Sequence, residues 1–205
     1  MCPSKMLATA SLLFAISRIL RADTIFNFDS ATLGTTTTFS EAESGLAATF
    51  SSPIANGFEI APASGNGFNT LTGNVLESPG PTLAGAFAPL TISFSQNATG
   101  LSMDFATVGP DALILDAFEN STFVGQASDH GSIPPGNFYP EGTLSFDGSL
   151  FNSVTLSTDS PYFAIDNLDV RTTGVPEPSS AALLGIGLAP LIVFALCRRW
   201  QPGSC

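Results

Sequence analysis

Apolar and polar positions alternate along much of this chain. Leu101, Met103 and Phe105 are separated by Ser102 and Asp104, Leu144 and Phe146 by Ser145, and Leu113, Leu115 and Ala117 interleave with Ile114, Asp116 and Phe118. A period of two is that of a half-buried strand. Thr24 to Phe28, Leu46 to Phe50, Gly57 to Ile60, Leu90 to Phe94, Thr122 to Gln126, Val154 to Ser157 and Phe163 to Val170 are further candidates. Between them stand Gly-, Pro-, Asn- and Ser-rich clusters such as Ser64 to Gly67, Ser78 to Pro81 and Ile133 to Asn137. No amphipathic helix of three turns survives this density of breakers. About ten short strands joined by turns predict an all-β fold, an antiparallel β-sandwich or jelly roll.

One stretch departs from the alternation. Phe163 and Ile165 share a face, yet Leu168 and Val170 fall one position out of phase. An extra residue at Asp166 and Asn167 returns both to the core, which is what a β-bulge does.

Both ends of the chain break the strand pattern altogether. Residues 1–22 carry Lys5, an apolar run from Met6 to Ile16, and Ala22 before Asp23. That is the order of a secretory signal peptide, and it predicts export with a mature chain starting near Asp23. At the other end Ala181 to Cys197 holds 17 residues without a charge, at the lower limit of about 17 to 25 for a membrane-spanning helix. Arg198 and Arg199 follow and hold that end in the cytoplasm, with Trp200 suited to the interface. The organisation predicted is a signal peptide at 1–22, a β-sandwich ectodomain at 23–171, a linker at 172–180, a transmembrane helix at 181–197 and a basic tail at 198–205.

Composition sharpens the reading of the middle segment. Asp23 to Gly174 contains 16 of the 17 acidic residues and, of the basic ones, only Arg171, a formal charge of −15. Such a surface repels nucleic acid, which is excluded as a partner. Cys2, Cys197 and Cys205 all lie outside this segment, so a packed core rather than a disulfide framework must hold it together. Fifteen of the 17 phenylalanines fall within it, so a phenylalanine-built core is expected in place of acidic disorder.

Val175, Pro176, Glu177 and Pro178 precede the short span and its terminal arginines. In this order the C-terminus resembles the PEP-CTERM sorting tail of Gram-negative exported proteins, although Trp200 to Cys205 makes a longer end than most such tails have. The resemblance implies that Val175 to Pro178 form the motif read by an exosortase, a membrane-embedded processing enzyme, and that Arg198 and Arg199 form the membrane stop. It also implies anchoring in the inner membrane before processing, a later place at the cell surface or in the extracellular matrix, and company with extracellular polysaccharide. Two prolines keep the motif out of the following helix and leave it accessible.

Tyr162 to Val170, with an opening strand that ends Phe26, Asn27, Phe28, Asp29, resembles the closing and opening strands of jelly-roll carbohydrate-binding-like domains. That resemblance implies a structural calcium ion held by Asp29, Asp166 and Asn167, oxygen ligands of the type calcium takes. The alternative is that Asp166 and Asn167 only satisfy backbone donors at the bulge. Tyr139, in the loop Gly136 to Pro140, is the candidate platform for a sugar or, alternatively, a loop anchor.

Catalytic patterns are thin. His130 is the sole histidine, no Gly-x-Ser-x-Gly elbow occurs, and Asp111 and Asp116 sit at an odd offset of five. No zinc, phosphate-loop or dinucleotide pattern is present. The sequons at Asn97 and Asn120 fit surface loops. The sequence therefore predicts a non-enzymatic exported protein with a structural or interaction role; the alternatives are a carbohydrate-binding module for extracellular polysaccharide and a hydrolase.

Overall fold

In the computed structural model the described residues are 22–78, 89–160 and 162–173. The expected signal peptide, the Val175 to Pro178 motif, the expected span and the terminal arginines lie outside them. Among the described residues no helix is long and apolar enough to cross a membrane.

These residues form ten strands and no helix: β1 (Ala22–Phe26), β2 (Phe39–Glu43), β3 (Leu46–Ser51), β4 (Glu59–Pro62), β5 (Asn74–Ser78), β6 (Leu90–Thr107), β7 (Leu113–Glu119), β8 (Thr122–Asp129), β9 (Glu141–Ser157) and β10 (Phe163–Thr172). Every pairing is antiparallel. The expected all-β, antiparallel class is the one observed.

Two long strands organise the whole. The stretches Leu90 to Phe94 and Leu101 to Phe105, expected as separate strands, are the two halves of β6; Leu144 to Phe146 and Val154 to Ser157 are likewise the halves of β9. Their common ladder breaks register between Ser93 and Gly100. On one side of that break β6 pairs with β3, and β9 with β7. Beyond it β6 pairs with β10, which is flanked in turn by β1 and β5. Side chains, rather than a loop, hold the bend. Ser95 Oγ accepts the Ala47 amide at 2.9 Å, Gln96 donates to the Gly45 carbonyl at 2.9 Å, and Thr99 donates to the Arg171 carbonyl at 3.2 Å. Asn97 therefore lies in a bent strand, not in the expected loop. Asn120 does lie in a turn, where it and Ser121 both take positive φ in a two-residue hairpin.

One core cluster draws on both halves: Phe28, Phe50, Ile92, Leu115 and Leu156 meet Leu101, Met103, Phe105, Ile165 and Val170. Its aromatic packing follows the phenylalanine count, with Phe39 stacked on Phe50 at 4.9 Å and Phe146 edge-on to Phe151 at 5.4 Å. The bulge falls where the phase break predicts it. Register with β6 shifts between Asp166 and Asp169, Asn167 takes φ +48, and Phe163, Ile165, Leu168 and Val170 are all buried.

The register also fixes which loops share an end. Ala22 pairs with Thr172, so the described domain begins and finishes side by side. At the opposite end of β10 stand Phe163, Thr107 and Glu141, separated from Thr172 by a strand of about 30 Å at 3.3 Å per residue.

Candidate ligand-binding site

The far end of β10 carries a second, smaller core. Ala164 and Ala106 lie beneath Ala63, Leu71 and Val75, with Phe68 and Tyr162 packed against them. The loop from Ala63 to Gly73 covers this face, and its anchor is Glu141, the first residue of β9. That carboxylate, 3% exposed, accepts the backbone amides of Asn69 and Thr70 at 2.7 Å each, the Thr70 hydroxyl at 2.5 Å and the Asn137 amide at 2.6 Å. One buried side chain thereby ties two loops together, and charge-assisted bonds of this kind are the strong ones. Gly131 makes the approach possible: at φ +63, a Cβ there would stand 2.8 Å from the Glu141 carbonyl oxygen.

On this scaffold sit the aromatic residues. Tyr139 and Phe68 rings lie 5.8 Å apart at 53°, and the neighbouring Phe138 is 83% exposed. Burial drives the Tyr162 phenol far above its ordinary range, helped by its hydrogen bond to Glu77 and by nearby charge, so it stays a neutral donor. Glu77 is itself raised, by burial first and Glu59 last, against the bonds from Tyr162 and Asn66. Asn66 donates to it at 2.7 Å. Phe68, Tyr139 and Tyr162 are half-buried and Phe138 is exposed, with Asn66 and Asn137 on the two loops and Glu77 on β5 as the neighbouring polar groups. Apolar walls with a few positioned polar groups are the usual make-up of a small-molecule site.

Tyr139 thus belongs to a constellation rather than acting alone. The sequence singled out Tyr139 but not Phe138, Phe68, Tyr162, Glu77 or Glu141. Only chain topology brings residues 66–77, 137–141 and 162 together, and no local motif announces it.

The implied calcium residues are neighbours too. Asp166 is 1% exposed; its Oδ1 accepts the Asn167 amide at 2.7 Å and its Oδ2 the Thr72 amide at 3.2 Å. Asn167 turns its side-chain nitrogen to Asp104 Oδ2 at 3.1 Å, and Asp29 accepts the Asn74 amide at 2.9 Å. A Cβ at Gly73 would run into Asp29. Burial raises the Asp166 carboxyl; its two backbone bonds oppose this, and Asp29 and Asp104 add to it. As placed, these side chains serve as acceptors and donors at the bulge. Among the described residues no group of three His, Cys, Asp or Glu is positioned to hold a metal ion.

His130 and Asp116, weighed for catalysis, are engaged elsewhere. His130 donates from Nδ1 to the Pro110 carbonyl at 2.8 Å, Asp129 accepts the Gly131 amide at 2.8 Å, and Asp116 accepts from Gln126 at 2.7 Å. A cleft of about 360 Å³ opens between β1 and β2, lined by Phe26, Asn27, Phe39, Glu41 and Glu43 among others. Glu41 keeps a buried oxygen without a partner, and its carboxyl is raised by burial and then by Glu43. Inward-pointing charge on an edge strand is a known guard against strand addition.

No family model matches the chain, and no curated protein matches it. Among solved structures it is similar to a cleaved adhesin domain of Lys-gingipain, at 15% identity and a TM-score of 0.43, over 73% of this chain and 99% of that one. It is also similar to a family 29 carbohydrate-binding module, at 15% identity and a TM-score of 0.38 over 74% and 89%. A family 6 module of Clostridium stercorarium, solved with cellobiose, aligns at 15% identity and a TM-score of 0.36 over 59% and 86%. Likeness of this degree carries no argument about function, and the site is read from its own geometry.

Proposed function

We propose that the chain is an exported surface protein whose β domain is a non-catalytic carbohydrate-binding module, with residues 66–70 and 136–140 taking the apolar faces of sugars in extracellular polysaccharide. The observation that carries this reading is Phe138, 83% exposed beside Tyr139 on a loop that buried Glu141 holds. An exposed aromatic surface on a fixed loop is a site looking for an apolar partner face. Preorganisation spares a ligand the cost of ordering it. With a formal charge of −15 between Asp23 and Gly174, neutral polymers are favoured over anionic ones.

Affinity electrophoresis through gels containing neutral or anionic polysaccharides tests the module. A neutral polymer should retard the protein, and Phe138→Ala and Tyr139→Ala should abolish the retardation. Migration unchanged by every polymer, or retardation that both variants retain, would refute it.

The tail supports a route to the surface: export, a temporary anchor at 181–197, and exosortase processing at Val175 to Pro178. In a host that carries the enzyme, Glu177→Ala should make the unprocessed membrane form accumulate. A tail of unchanged mass and location would remove the sorting reading and leave the binding reading standing.

A further inference from the structure

Two carboxylates stand directly opposite one another on β4 and β5. Glu59 pairs with Glu77 in antiparallel register, so both side chains lie on one face, where the Cβ atoms of facing residues are about 4.5 to 5.5 Å apart. Like charges so placed destabilise a sheet, and a cation between them would reverse the effect. The protein supplies none. Between Asp23 and Gly174 the sole Lys or Arg is Arg171, which forms an ion pair with Asp147, and His130 is bonded to the Pro110 carbonyl. Among the described residues the pair has no cationic partner.

The pair adjoins the aromatic residues of the candidate site. Tyr162 gives its hydroxyl to Glu77, and Glu59 and Tyr139 both act on its phenol. Donors around the rings are mostly spent within the protein. Both hydrogens of the Asn66 amide are taken, by Glu77 at 2.7 Å and by the Pro62 carbonyl at 3.3 Å. The backbone amides of Asn69 and Thr70 go to Glu141, with one hydrogen of the Asn137 amide. What remains unspent is chiefly acceptors: the carboxylates of Glu59 and Glu77 and the side-chain carbonyls of Asn66 and Asn137.

We propose that this site prefers a polymer of amino sugars whose amino groups are free, a sugar ring lying on the aromatic residues and its ammonium group entering between Glu59 and Glu77. The inference rests on the carbohydrate-binding reading and names the substrate class of that same site. An ammonium group brings what the site lacks, a positive charge and three donors. It is also attracted to the faces of tyrosine and phenylalanine rings. A sugar carries its amino group at the ring edge, so a ring stacked on Phe138 or Tyr139 directs that group sideways across the surface. Burial raises the Glu77 carboxyl, and Glu59 adds to it; a cation between the two favours the ionised form of both. The formal charge of −15 between Asp23 and Gly174 draws such a polymer in at longer range.

The test is isothermal titration calorimetry of the full chain in non-ionic detergent at mildly acidic pH, with a β-linked glucosamine oligosaccharide and its fully N-acetylated counterpart. Acetylation removes the charge and leaves the ring, so this comparison does not depend on any variant folding. The free-amine form should bind about tenfold more tightly, the size of one charge-assisted hydrogen bond. Phe138→Ala with Tyr139→Ala should abolish the binding of both. Glu59→Gln with Glu77→Gln should remove the preference, the two forms then binding alike. Glu43→Gln with Glu119→Gln removes the same charge from β2 and β7 and should keep it. Equal affinity of the two forms for the unaltered protein would overturn the inference and leave the carbohydrate-binding reading standing. A preference that the Glu43 and Glu119 changes lower as much as those at Glu59 and Glu77 would also overturn it, assigning the effect to the acidic surface as a whole. Binding of neither form would overturn it as well, and the gel assay then decides the module reading on its own.

Discussion

Replacing Glu141 by Gln tests whether this one side chain holds the loop end together. The carboxylate accepts four hydrogen bonds, two on each oxygen. Glutamine keeps the shape but offers a single oxygen, so one pair of donors faces an NH2 group. Turned toward Thr70, that group leaves the Thr70 amide without an acceptor, although the hydroxyl can rotate to receive a bond. Turned toward Asn69, it orphans that amide, and the Asn137 side chain must flip. A hydrogen bond to a charged group contributes about 1.5 to 3 kcal/mol, and an unsatisfied buried donor costs about 1 to 3 kcal/mol. Asn69 and Thr70 are themselves exposed, so water recovers part of the loss, and the net cost should be about 2 kcal/mol. Urea unfolding should show a lower midpoint at unchanged slope. The melting temperature should fall by about 4 to 8 °C for a domain of this size. A loss below about 0.5 kcal/mol, the size usual for an ordinary surface change, would refute the clamp.

Three further outcomes are expected. Glu41, Glu77, Asp166 and Asp169 all have carboxyls raised chiefly by burial, so the folded state binds protons more readily than the unfolded one. Stability should therefore rise as pH falls from neutral toward the ordinary carboxylate range, and be lost in the opposite direction; a flat or reversed profile in thermal melts would contradict these burials. Gly125→Ala places a Cβ 2.8 Å from the Phe146 ring, and such overpacking should cost about 1 to 3 kcal/mol in urea unfolding. With the Asp166 oxygens bonded to backbone amides, calcium and magnesium should shift the melting temperature alike; a rise specific to calcium and lost in Asp166→Ala would assign the ion to Asp29, Asp166 and Asn167.

The sequence made the fold class legible because a period of two needs no long-range information. Phe163 to Val170 even disclosed its bulge through one break in phase. Strand limits were less legible. Nothing in Ser95 to Gly100 shows that Ser95, Gln96 and Thr99 will satisfy the backbone and carry β6 around a bend. The strand β2 does not show an alternating pattern because Glu41 points inward against the usual polar-out rule, and β5 does not because Val75 and Leu76 are both buried. At the site, Tyr139 was visible as an aromatic residue in a Gly- and Pro-rich loop. Its partners were not, since Phe68 is 71 positions away, and Glu141 reads locally as an ordinary acid after a proline.

The most direct test of the binding module is a heteronuclear NMR titration with an oligosaccharide of the neutral polymer that retards the protein in gels. The account predicts amide shifts concentrated at residues 66–70 and 136–140, saturable and absent in Phe138→Ala. Shifts centred instead on Phe39 to Glu43 in the cleft, or a spectrum that does not change at saturating sugar, would contradict it.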